Sequence, residues 1–169
     1  MRVPLVALLW CGPLLCGPVL AQSIDVEFDH AADFTPYKTY RLLDGDIDAK
    51  SPALNNAIVR KNLESEIRAR LKEKGFTEVE PGVQPDLNVR FHLGSARRSE
   101  TTAIPAGRAG GVRKVRSQTT EGTLTIDFLV KRDLVWRAIA TDDDRDPTKI
   151  AGRLDDMVKK AIGKFPPKK

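Results

Sequence analysis

The sequence predicts a two-layer α+β domain, a mainly antiparallel sheet with two helices packed on one face. Three observations carry this. Several short runs alternate apolar and polar residues, two longer stretches place apolar residues at helical spacing, and two neighbouring runs are separated by a short polar turn.

Ile24, Val26 and Phe28 alternate with Asp25, Glu27 and Asp29, which reads as a strand with one buried face. Ala31–Pro36 reads as a turn and Tyr37–Leu42 as a second short strand. Asp44–Ser51 is a polar loop running into a helix, with Ser51 as N-cap and Pro52 at the first helical position. Leu54, Ile58, Leu63, Ile67 and Leu71 form its apolar stripe, and Gly75 is its expected stop. Leu87, Val89, Phe91 and Leu93 alternate with Asn88, Arg90 and His92, giving another strand. Leu124, Ile126, Phe128 and Val130 repeat the pattern, and Lys131-Arg132-Asp133 connects them to a run from Leu134 to Thr141, so these two runs should pair as a hairpin. Asp146-Pro147 opens the last helix, whose core face is Ile150, Leu154, Met157, Val158, Ala161 and Ile162. Gly163 and Phe165-Pro166-Pro167 end it.

Residues 1–21 have the layout of a secretory signal. Arg2 precedes an apolar run from Val3 to Leu15, and Val19-Leu20-Ala21 places short residues before a cleavage point at Gln22. Pro4, Gly12, Pro13, Gly17 and Pro18 interrupt the run, so it does not read as a membrane span. A lipid anchor to the outer membrane through Cys11 or Cys16 is the alternative. Lipidation needs a small residue before the cysteine, and Trp10 and Leu15 stand there. Cleavage removes both cysteines and leaves a single domain, 22–169, with no disulfide and no thiol chemistry.

The remaining chain has 27 lysines and arginines against 23 acids, a net of +4. Residues 94–122 alone carry Arg97, Arg98, Arg108, Arg113, Lys114 and Arg116 against Glu100 and Glu121, which is also +4. The surplus charge therefore sits in one segment, read as a basic flexible insertion or as a long hairpin with its tip near Gly107–Gly111. These six cations are the candidate contacts for an anionic envelope component, a lipid headgroup or a lipopolysaccharide phosphate, with an envelope protein as the other possible partner. Nucleic acid is not expected, because export removes access and the segment has no aromatic residue for base stacking.

Other chemistry is thin. The two histidines, His30 and His92, fall in a turn and on the outward face of a strand. Asp44, Asp46 and Asp48 resemble the start of a calcium loop, but Ala49 and Asn55 stand where glycine and glutamate are needed, so a solvated acidic turn is expected. Asp142-Asp143-Asp144 with Asp146 reads as a carboxylate cluster at a helix N-terminus. Trp136 reads as core. No metal or cofactor is expected, and no catalytic residue is assigned.

The segments "DFTPYKTYRLL" (33–43), "PDLNVRFHL" (85–93), "EGTLTIDFLVKRDLVWRA" (121–138) and "KFPP" (164–167) occur in an order that resembles the bacterial domain of unknown function 4136 family. Gly-Thr-Leu-x-Ile-Asp and Leu-Val-Trp-Arg are the more specific parts. The resemblance implies an α+β fold, export to a Gram-negative envelope, often with a lipid anchor, and no established activity. This chain departs in its lipidation cysteine, in Ala138 where glycine is common, and in its basic middle segment. Asp33 and Pro36 are expected to shape a turn, Pro85-Asp86 to start a strand, and Gly122 to relax the backbone. The signature therefore reads as fold-specifying. The expected role is non-enzymatic binding or scaffolding in the periplasm, the alternative being a hydrolase that uses carboxylates alone.

Overall fold

A computed structural model describes residues 22–105, 110 and 112–167; the predicted signal 1–21, with Cys11 and Cys16, lies outside the described residues. Seven strands form one mixed sheet. They are β1 (Ser23–Phe28), β2 (Thr39–Leu42), β3 (Asp46–Asp48), β4 (Thr77–Glu78), β5 (Leu87–Pro105), β6 (Val112–Val130) and β7 (Asp133–Asp144). Their order is β1-β7-β6-β5-β2-β4, with β3 joining β5 beyond β2. β1, β7, β6 and β5 pair antiparallel, whereas β2 and β3 run parallel to β5 and β4 parallel to β2. Among the described residues there are three helices: α1 (Ala57–Glu73), α2 (Pro147–Ala151) and α3 (Leu154–Gly163). The predicted two-layer α+β architecture is the observed one.

Alternation dictates the core. Leu87, Val89, Phe91 and Leu93 of β5 and Leu124, Ile126 and Phe128 of β6 are fully buried, as are Trp136, Ala138 and Ala140 of β7. Phe128 and Trp136 stand opposite each other with ring centroids 4.7 Å apart, and Phe165 packs on both at 4.5 and 5.3 Å. Such tilted aromatic contacts add to area burial. Gly122 proves to be a packing position, where a Cβ would stand 2.8 Å from Ile150 Cγ2, so α2 rests directly on β6. A Cβ on Gly45 would collide with the Phe91 ring.

The helix boundaries differ from expectation. Ser51 begins a turn, its carbonyl accepting from the amides of Leu54 and Asn55. Asn56 is the true cap of α1, its side chain accepting from Val59 N–H at 2.9 Å while its amide donates to the Pro52 and Ala53 carbonyls. The buried stripe is Val59, Leu63, Ile67 and Leu71, and Ile58 points to solvent at 73% exposure. Leu54 is buried from the turn. Gly75, at φ 85°, closes α1 as predicted, with Phe76 N–H donating to Leu71 O and Gly75 N–H to Lys72 O. Asp146 caps α2 as expected, but the helix ends at Ala151 and α3 restarts at Leu154. The predicted second helix is thus two, although its core face is buried throughout.

Candidate functional site

The basic segment is a hairpin. β7 leaves β6 after the Thr120–Asp144 pair, and β3 leaves β5 after Asp48–Gly94. Beyond those points, among the described residues, β5 and β6 pair only with each other, from Arg98–Thr119 to Pro105–Val112. At about 3.3 Å per residue the unflanked ribbon projects on the order of 25 Å. Arg108 lies outside the described residues, as do 106, 107, 109 and 111 of the tip.

Strand alternation splits the predicted cations between two faces. Arg97, Lys114 and Arg116 share the face that continues the core side of the sheet, and Arg98 and Arg113 share the other. Arg98 is engaged by Glu121 at 2.5 Å. Arg97, Arg113, Lys114 and Arg116 are exposed. Ile104, Val112 and Val115 are also exposed on the ribbon, by 41%, 68% and 39%. Composition drew attention to the cations and passed over these apolar neighbours.

A second feature lies on the sheet face away from the helices. Asp127 is nearly buried, and its carboxylate accepts from Arg137 Nε at 2.7 Å, Arg137 Nη2 at 2.9 Å and Arg90 Nη2 at 2.8 Å. Burial alone would raise its pKa, but the hydrogen bonds and charges of Arg137 and Arg90 outweigh it and hold the carboxyl below the usual range. Beside this triad His92 Nδ1 meets Asp46 Oδ2 at 3.0 Å, and together they border a shallow recess of about 390 Å³. His92 faces outward as predicted. His30 is exposed, its ring 4.4 Å from that of Phe28.

The acidic runs take structural places that the sequence reading missed. Asp46 and Asp48 flank buried Ile47 in β3, so the expected acidic turn is a short strand. Asp142, Asp143 and Asp144 belong to β7 and not to a helix N-terminus. Arg153, in the break between α2 and α3, donates to both oxygens of buried Asp142 at 2.6 and 3.1 Å and to Asp144 at 3.2 Å. The Asp146 backbone N–H and Arg153 keep Asp144 below its ordinary pKa. Asp86 Oδ2 accepts from the Lys38 and Thr39 amides and the Thr39 hydroxyl, at 2.9, 2.8 and 2.8 Å, which also lowers its pKa. No group of three or more metal-ligating side chains occurs among the described residues.

The residues of the sequence signature therefore bond to one another. Asp86 clamps Thr39, Asp127 holds Arg137, Phe128 stacks on Trp136, and Phe34 meets Phe165 at 5.5 Å. They define a small α+β domain whose signature builds the sheet. The chain belongs to the family described as Domain of unknown function (DUF4136), which matches residues 24–167.

Among solved structures, the chain resembles a PDZ domain protein from Parabacteroides distasonis ATCC 8503 at 14% identity and TM-score 0.57. The match covers 88% of this chain but only 37% of that one. It resembles a DUF4136 family protein from Bacteroides thetaiotaomicron VPI-5482 at 12% identity and TM-score 0.54, covering 86% and 96% of the two chains. A PelC dodecamer from Paraburkholderia phytofirmans matches at 9% identity and TM-score 0.50, covering 88% and 100%. At these identities the likeness is one of fold. No curated protein matches the sequence.

Proposed function

We propose that this chain is an exported, non-enzymatic binding protein of the cell envelope, and that the β5–β6 ribbon is its binding element for an anionic surface. The observation that carries the reading is the ribbon itself, which lifts Arg113, Lys114 and Arg116 away from the body of the domain, with Arg97 exposed at its base. Cations near an anionic membrane contribute about 1 kcal/mol each. Four of them give weak, salt-dependent contact with phosphate-bearing headgroups. Periplasmic location, the partner chemistry this reading requires, agrees with the secretory layout of residues 1–21.

A carboxylate hydrolase fits less well. Its general acid needs a raised pKa, whereas Asp86, Asp127 and Asp144 are all held low by their donors.

Co-sedimentation with vesicles of phosphatidylglycerol and phosphatidylcholine tests the proposal. Binding is expected at low salt, lost at high salt, and reduced about a hundredfold when Arg113, Lys114 and Arg116 are changed to glutamine. No binding at low salt, or undiminished binding by the triple variant, refutes it.

A further inference from the structure

We propose that the free β6 edge of the ribbon is a docking site for β1 of a second copy of this chain, with Asp25-Val26-Glu27 of one copy beside Lys114-Val115-Arg116 of the next.

Sheet edges invite pairing unless they are short, bulged or covered. The β4 edge is only two residues long. β1 at the opposite edge runs six residues, without proline and in unbroken register, and among the described residues pairs only with β7. The ribbon leaves two further edges: that of β5 mixes Arg97 and Arg98 with Glu100, whereas residues 112–119 of β6 carry cations and no acid and pair inward with β5 alone among the described residues. A two-stranded ribbon without further support is marginally stable in water, and a third strand relieves that.

The two edges match residue by residue. Asp25 and Glu27 lie exposed on one face of β1 with half-buried Val26 on the other. Lys114 and Arg116 lie exposed on one face of β6 with Val115 on the other. Whichever direction the strands run, setting acids opposite bases sets Val26 opposite Val115. A one-residue slip would instead turn the two charged rows to opposite faces.

Like edges do not match. A β1–β1 pair aligns carboxylates with carboxylates, and a β6–β6 pair aligns cations with cations, both unfavourable across a ladder. Each copy carries one edge of each kind, so the contact is head-to-tail and generates a ring or a filament.

The proposal goes beyond the anion-binding reading but shares Lys114 and Arg116 with it, so the variants must separate the two. Sedimentation velocity of protein purified from cells expressing the full chain should show oligomers at low salt that dissociate at high salt. D25K/E27K and K114E/R116E should each sediment as monomers, and their equimolar mixture should reassociate, because each then supplies the edge the other needs. D25K/E27K should retain vesicle binding, which distinguishes this contact from the membrane one. Hydrogen exchange on the wild-type protein gives a check free of variants: amide protection over 23–28 and 112–119 should rise with concentration. Monomers at low salt, oligomers persisting in either variant, a folded mixture that stays monomeric, or concentration-independent exchange would each overturn the proposal.

Discussion

Replacing Asp127 by asparagine removes one charge from the middle of the uncovered sheet face and leaves the side-chain shape. The carboxylate is 4% exposed and accepts three hydrogen bonds from two guanidinium groups. Hydrogen bonds to charged groups are worth about 1.5–3 kcal/mol each. The released cations are not stranded, however, because the Arg137 and Arg90 side chains are 32% and 50% exposed and solvent takes them up. Asparagine also keeps one acceptor. The expected net loss is therefore about 2 kcal/mol, or roughly 4–8 °C in Tm for a domain of this size. Arg137→Met should cost more, about 3–5 kcal/mol, since it deprives a buried carboxylate of its bidentate partner. The acid limb is diagnostic. A carboxyl with a depressed folded pKa contributes stability that is present above its unfolded value near ~3.9 and is lost as pH falls through the folded value. Asp127→Asn should flatten that loss, with Asp86 and Asp144 leaving a residual slope. Thermal melts by circular dichroism from neutral to strongly acid pH measure both effects. An unchanged Tm together with a wild-type acid limb would refute the claim that the signature aspartate and arginine hold the sheet.

Four further substitutions probe the packing and capping. Trp136→Ala should lower stability by about 3–5 kcal/mol, read from denaturant unfolding, because a fully buried indole in contact with Phe128 and Phe165 is lost. Gly122→Ala should cost about 1–3 kcal/mol in the same assay, as its methyl drives into Ile150 and lifts α2 from β6. Asn56→Ala should cost about 1 kcal/mol and Ser51→Ala much less, a thermal-melt comparison that identifies the real cap of α1.

The central strands were legible because each buries one face, so period-two alternation survives from sequence to structure in β5, β6 and β7. The start of α1 was not, because Ser51-Pro52 satisfies the local preferences of a helix N-terminus and also those of the turn that holds Leu54. Only tertiary packing decides that Val59, and not Ile58, is buried. The break after α2 hides in a continuous apolar pattern, and its cause is remote: Arg153 reaches back to Asp142 and Asp144 on β7. β3 is three residues with one buried side chain, too short to show periodicity. Of the candidate site, the sequence located the cations but not their division. That division needs the strand register, which runs unbroken from Asn88–Leu129 to Pro105–Val112.

The pairing of β1 with β7 joins chain positions on the order of a hundred residues apart, Ser23 lying beside Thr141, whereas β5, β6 and β7 are consecutive hairpins. Contacts so distant in sequence close late, since the intervening loop entropy must first be met. A chain emerging N-terminus first thus presents β1 before any partner exists and keeps it waiting until β7 has been made. We expect pulse-labelled exchange during refolding to protect β6 and β7 before β1; simultaneous protection would contradict this. On that order the first strand of the sheet is the last to be paired, and its exposed Asp25 and Glu27 would keep it charged through that interval.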